Sequence, residues 1–132
     1  MSLAFIDTSV WARIARPQVA DAVADAIAAG AVVVTDLLVL ELLRSARDAK
    51  EHAELREEYS TLSIVPVSPE IVERALEVQG RLALRGYHRG PSPIDLISAA
   101  AAEAAKAVLW HCDRDFELIA EVTKQPLKRL GR

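Results

Sequence analysis

Short apolar runs alternate with longer stretches of helical periodicity along this chain. Residues 3–6 are apolar and stop abruptly at Asp7-Thr8-Ser9. Residues 32–35 form a β-branched run after Gly30, a residue suited to ending a helix. Residues 64–67 lie between Ser63 and Ser68, and Pro66, which has no N–H to donate, predicts a sheet edge. Residues 107–111 lead into Cys112-Asp113, and a weaker run, 127–130, follows Pro126. None alternates cleanly between apolar and polar positions, which is the pattern of strands covered on both faces.

Helical patterns fill the spaces between. Residues 17–29 open with proline and are rich in alanine. Residues 37–47 follow Thr35-Asp36, either of which can cap a helix start, and the charged stretch 49–60 continues the hairpin. Residues 69–85 carry Ile71, Val72, Ala75, Leu76, Leu82 and Ala83 at helical spacing, with Pro69 placed for a first turn. Residues 93–106 start after Ser92 and hold a long alanine stretch, and 115–121 is a short final helix. With a short helix around Trp11, the order is β-α-α-β-α-α-β-α-α-β-α-β. That order predicts a three-layer α/β domain, residues 1–132, with a mainly parallel sheet.

Composition narrows the class. The chain has 132 residues, 52% hydrophobic and 27% charged, with a formal net charge of −3. That length and apolar share suit one domain with a real core and exclude a disordered chain. No apolar run approaches the roughly 20 residues of a membrane span. The opening MSLAFIDTSV lacks the basic and apolar segments of a signal peptide. One cysteine, Cys112, excludes an internal disulfide framework and fits a reducing cytoplasm. Mild acidity gives no global case for nucleic-acid binding, so such a partner would need a local basic patch.

In an open parallel sheet, ligands bind outside the carboxyl ends of the strands. The pattern places Asp7 at the end of the first strand and Asp113 at the end of the fourth, with Asp115 two residues on. Asp95 lies in the first turn of a helix whose start nears the same edge. Glu41 is one turn into the helix after the second strand, among the apolar residues of DLLVLELL. Four acids from four segments therefore converge on one rim. Each also has a local explanation. Asp7 can cap the next helix, Asp95 can complement a helix dipole, and Asp113 and Asp115 can form a turn and cap. Glu41 resists this reading, because a carboxylate on an apolar face needs a partner, and Arg44 is its best local one.

Crowded carboxylates repel in a low-dielectric cleft, and an oxygen-rich site with few protein ligands suits Mg²⁺ or Mn²⁺. Zinc would want spaced Cys and His ligands, whereas His111 and Cys112 are adjacent. Walker, dinucleotide-binding and nucleophile-elbow motifs are absent from the sequence.

Four motifs in order, FIDTSVW, ELLR around Glu41, PSPIDLISAA around Asp95 and LWHCDRDFELIA, make the chain resemble PIN-domain ribonucleases, specifically toxins of the VapC type from toxin–antitoxin pairs. The resemblance spans almost the whole chain. It implies a small α/β fold and metal-dependent RNA cleavage by Asp7, Glu41, Asp95 and Asp113, which hold Mg²⁺ or Mn²⁺. It also implies supporting roles for Asp115 and for the hydroxyl of Thr8 or Ser9, with Ser9 favoured. A homodimer and neutralisation by a cognate antitoxin protein are implied as well.

Chemistry fits that picture independently. A bound cation lowers the pKa of its water and neutralises the scissile phosphate. RNA would be met by Arg85, Tyr87 and Arg89, in a locally basic stretch before Asp95, and by Arg114. The same stretch can equally be a solvated helix end capped by Gly86. The tail Lys124, Lys128, Arg129 and Arg132 can serve RNA too, although it reads first as a solvated terminus. Trp11 and Trp110 suit a core or an interface rather than a substrate platform, and Val10, Trp11 and Ile14 are candidates for a partner surface. The competing classes are a non-catalytic nucleic-acid-binding or regulatory module and, less well supported, an Asp-dependent phosphatase. A dehalogenase-type phosphatase wants an acid two residues after the first, where Ser9 stands, and a receiver wants one after the third strand, where Pro66-Val67-Ser68 stands.

Overall fold

The computed structural model describes residues 1–131. Five strands form the sheet: β1 (Ala4–Ile6), β2 (Val32–Val34), β3 (Ser63–Ile64), β4 (Val108–His111) and β5 (Leu127–Arg129). They lie in the order β3-β2-β1-β4-β5 and every neighbouring pair is parallel. The expected mainly parallel sheet is thus wholly parallel. Helices α1 (Thr8–Trp11) and α2 (Pro17–Ala28) join β1 to β2, and α3 (Asp36–Leu43) and α4 (Ala49–Tyr59) join β2 to β3. Helices α5 (Pro69–Leu84) and α6 (Pro93–Ala104) return the chain to β4, and α7 (Arg114–Thr123) leads to β5.

The chain builds outward from β1 in both directions, so its direction of travel reverses at β1 and β4. With right-handed crossovers, this reversal puts α1–α4 on one face and α5–α7 on the other. It also makes the gap beyond the carboxyl ends of β1 and β4 the switch point where such sheets bind ligands. Asp7 and Asp113 follow those two strands directly.

The core explains the lack of alternation. All of β1 and β2 is buried, and Phe5, Ile6, Val34 and Leu109 are fully enclosed. Ala99–Ala102 pack closely within α6. Helix α5 is tied to α6 by Arg74, whose guanidinium grips Glu103 through two hydrogen bonds of 2.8 and 3.1 Å.

Some boundaries move. Strand β3 has two residues where four are expected, because it is an exposed edge and Pro66 offers no N–H to prolong it. Helix α3 stops at Leu43, four residues early, and its end is closed by turns such as Ser45 Oγ donating to Leu42 O. Val10 is fully buried, so it belongs to the core rather than to a partner surface. The tail is not simply solvated. Leu127–Arg129 is a strand, Lys128 stands 4.4 Å over Trp110, and Arg129 pairs with Glu117. Arg132 lies outside the described residues.

Candidate active site

Each aspartate on the rim arrives there through a helix start. Asp7 leaves β1 in extended conformation and caps α1, its Oδ2 accepting from Ser9 N at 2.9 Å. Asp113 caps α7, its Oδ1 accepting from Asp115 N at 2.9 Å. Asp95 closes a capping box at the start of α6, where its carboxylate accepts from Ser92 N at 3.0 Å and Ser92 Oγ accepts from Asp95 N at 3.1 Å. Backbone N–H groups and the positive ends of α6 and α7 thus support these charges. Among the described residues, none of the five acids forms an ion pair with a Lys or Arg.

Carboxylate oxygens of Asp95, Asp113 and Asp115 all lie within 4.8 Å of one another. The sequence predicts a supporting place for Asp115, and the fold brings it into the tightest group. Asp7 stands beside this trio rather than within it. It is 3% exposed, and its Oδ1 is buried with no hydrogen-bond partner. Burial raises the Asp7 carboxyl above the usual carboxylate range, and the Glu41 charge adds to the rise while the Ser9 hydrogen bonds oppose it. Burial pushes Asp95 up to about 6, with the charges of Asp7 and Asp113 contributing. Asp115 rises as well, from burial and then from Asp113. Three raised carboxyls and an orphaned oxygen mark a site short of positive charge, with only the Arg114 charge opposing the rise at Asp115.

Glu41 sits apart, on α3. It does not pair with Arg44, which is exposed. Instead, the Thr8 hydroxyl donates to Glu41 Oε1 at 2.5 Å across 33 residues of sequence. The Ser9 hydroxyl, which helps hold the Asp7 carboxyl down, also accepts from Cys112 N at 2.9 Å, and so ties the β1–α1 turn to the turn carrying Asp113. The Thr8–Glu41 pair is the contact that sequence reasoning missed, and only the polar Asp-Thr-Ser turn hinted at it.

The basic candidates are dispersed. Arg85 pairs with Glu121 of α7 at 3.0 Å, and Gly86 ends α5 with φ +76° while Tyr87 N reaches back to Leu82 O. The helix-end reading therefore describes Arg85 and Gly86. The loop beyond reaches the acids, since a Cβ on Gly90 would stand 3.1 Å from Asp115 Oδ1. Tyr87, Arg89 and Arg114 are exposed. Trp11 donates its indole N–H to Ile6 O at 3.0 Å and packs edge-on against Tyr59, so it serves structure first.

A parallel sheet with helices on both faces fits the PIN domain, and the pattern describing the PIN domain matches residues 4–122. The chain belongs to the PIN-domain family. Its relatives include "Ribonuclease VapC18" of Mycobacterium tuberculosis (strain ATCC 25618 / H37Rv), 38% identical over 123 residues, which are 92% of this chain and 90% of that protein. "Ribonuclease VapC51" of the same strain is 41% identical over 121 residues, covering 92% of this chain and 88% of the relative. Among solved structures, VapBC2 from Rickettsia felis, bound to a DNA fragment from its promoter, superposes with a TM-score of 0.79 at 15% identity, covering 98% of this chain and 99% of that one. FitAcB from Neisseria gonorrhoeae gives 0.73 at 16% identity, covering 95% and 96%. At such identities these two likenesses speak for the fold alone.

Proposed function

We propose that this chain, as one domain, is a Mg²⁺- or Mn²⁺-dependent endoribonuclease and the toxin of a toxin–antitoxin pair, neutralised by a cognate antitoxin. The observation that carries the reading is Asp7 Oδ1, buried without a partner beside three mutually close carboxylates that form no ion pair with a Lys or Arg among the described residues. Hard oxygen donors of this kind fit a hard divalent cation. The ribonuclease names of relatives near 40% identity support RNA as substrate. Solved VapBC complexes with the same fold support the antitoxin as partner.

Asp7, Asp95 and Asp113 would hold the cation, with Asp115 reinforcing their charge. When bound, the cation would neutralise the scissile phosphate and acidify the attacking water. Glu41 keeps Oε2 free to hold or orient at the edge of the site while Oε1 is occupied by Thr8. Arg89, Arg114 and Tyr87 are exposed and suited to an RNA strand, the arginines by phosphate contact and Tyr87 by stacking on an unpaired base. Arg85 is engaged by Glu121 and contributes less. Water attack leaves a 5′-phosphate and a 3′-hydroxyl and does not use the RNA 2′-hydroxyl. We place the protein in the cytoplasm, as a homodimer when free of antitoxin.

The test is cleavage of a single-stranded RNA panel by the purified chain, with Mg²⁺ or Mn²⁺ and with EDTA. Cation-dependent products bearing 5′-phosphates are expected. Equal cleavage in EDTA, or 2′,3′-cyclic phosphate ends, would contradict the proposal.

A further inference from the structure

Thr8 and Ser9 follow Asp7 in sequence, and their hydroxyls are committed to different segments. Ser9 meets the backbone of Cys112, and Thr8 meets the side chain of Glu41. A 2.5 Å contact from a hydroxyl to a carboxylate is a short, charge-assisted hydrogen bond. It fixes one oxygen of a side chain that would otherwise be loose. Glu41 is half-buried and lies, with Thr8, in the wall of a cleft of about 220 Å³ that also touches Trp11, Leu42, Ser45 and Tyr59. The cleft leaves Glu41 room to swing, and Arg44 offers no competing hold. Threonine is itself stiff at χ1, and Thr8 is the residue directly after Asp7. The placement of Glu41 is therefore referenced to the turn of Asp7, not only to its own helix.

We propose that Thr8 is a positioning residue that acts through Glu41. Its hydroxyl holds Oε1 so that the carboxylate presents only Oε2 to the acid rim. The inference rests on the nuclease reading above for its kinetic consequence, but its structural half stands alone. Partners that orient a metal-site or catalytic group are worth about 10–100-fold in affinity or activity when removed. Thr8→Val removes the hydroxyl and keeps the branched shape, and Thr8→Ser restores the hydroxyl.

The experiment combines kinetics with a readout on the protein free of metal and RNA. Side-chain couplings of Glu41, measured by NMR, should report one rotamer in the wild type and in Thr8→Ser, and averaging in Thr8→Val. In Mg²⁺-supported RNA cleavage, Thr8→Val should lose about 10–100-fold in kcat with KM within about twofold, and Thr8→Ser should recover most of it. In a Glu41→Gln background, Thr8→Val should cost less than about twofold more, because its partner is already altered. The thermal midpoint of Thr8→Val separates a folding defect from a positioning one, and the NMR readout applies to any variant that folds. The inference is overturned by a single unchanged Glu41 rotamer in Thr8→Val, or by wild-type kcat in that variant. A full multiplicative loss on top of Glu41→Gln also overturns it. If the wild type cleaves no RNA, the nuclease reading fails separately, and the rotamer measurement still decides whether Thr8 holds Glu41.

Discussion

Two helix starts in this protein use an aspartate in the same local way and to different ends. At α4, Asp48 accepts from Glu51 N at 2.8 Å, and Glu51 pairs with Arg47 at 2.8 Å. At α7, Asp113 accepts from Asp115 N at 2.9 Å. The first cap is exposed and its neighbourhood is neutralised by a cation; α4 buries no residue at all. The second is half-buried beside Asp95 and Asp115, at the point where the sheet reverses, and has no cationic partner among the described residues. Capping chemistry is common to both. What distinguishes them is the tertiary address: only the second cap is pressed against other carboxylates by the fold, and only there does the local motif become a candidate site.

The comparison is broken most sharply at Asp7. Asp7→Asn should reduce RNA cleavage by at least about 100-fold, the upper end of what even indirect metal-site partners cost. The same change should raise the thermal midpoint of the metal-free protein, because it removes a buried charge with no cationic partner among the described residues. A folded Asp7→Asn protein with full activity would remove the assignment. Next in size, Asp113→Asn should lose about 100-fold and Asp115→Asn about 10-fold, whereas Asp48→Asn should stay within twofold of wild type. Asparagine caps a helix about as well as aspartate, so the Asp113 and Asp48 variants differ in site charge and not in cap strength. Rates measured on one RNA at equal Mg²⁺ decide this, and equal losses at Asp113 and Asp115 would give the two residues equal roles.

Much of this contrast was legible in the sequence, and the rest was not for identifiable reasons. The β-branched run 32–35 reads as a buried strand because neither face needs polar residues, and Val32–Val34 is buried throughout. Pro69 and the Ser92-Pro93 step announce helix starts, and α5 and α6 begin there with Ser68 and Ser92 as their caps. Asp7 and Asp113 were placed on one rim by strand order alone. Local pattern does not report distances between segments. It put Asp115 behind Asp7 and Glu41, whereas α7 starts so that Asp115 joins Asp95 and Asp113. It offered Arg44 to Glu41, because sequence neighbours are visible and a hydroxyl 33 residues away is not. It likewise left Arg85 open to RNA, since the pairing with Glu121 depends on how α5 packs against α7.

Smaller effects sharpen the contrast through pH and salt. The Asp95 carboxyl is raised from 3.8 to about 6, so the folded protein binds more protons than the unfolded chain between those values. Its contribution to stability is therefore fully present below pH 3.8 and is lost as pH rises through about 6. Asp7 and Asp115 shift in the same direction. In EDTA, the thermal midpoint should rise between pH 7 and pH 5, less so in Asp95→Asn. Saturating Mn²⁺, which favours the ionised acids, should flatten the rise. A flat metal-free profile would contradict the raised carboxyls. Least in size, Arg89→Ala and Arg114→Ala should each reduce the salt slope of RNA binding by about one unit, with little change in Mn²⁺ affinity. Wild-type slopes would move the RNA path elsewhere on the surface.

The proposed divalent-cation site is made of the rim acids, with buried Asp7 beside the close trio of Asp95, Asp113 and Asp115. Calorimetric titration of Mn²⁺ into the metal-free protein at pH 7, in wild type and in Asp7→Asn, tests it most directly. Saturable binding by the wild type is expected, with a loss of at least about tenfold in affinity in Asp7→Asn and the Asp48→Asn control unchanged. Equal Mn²⁺ affinity in wild type and Asp7→Asn, or no binding by a wild type that still cleaves RNA, would contradict it.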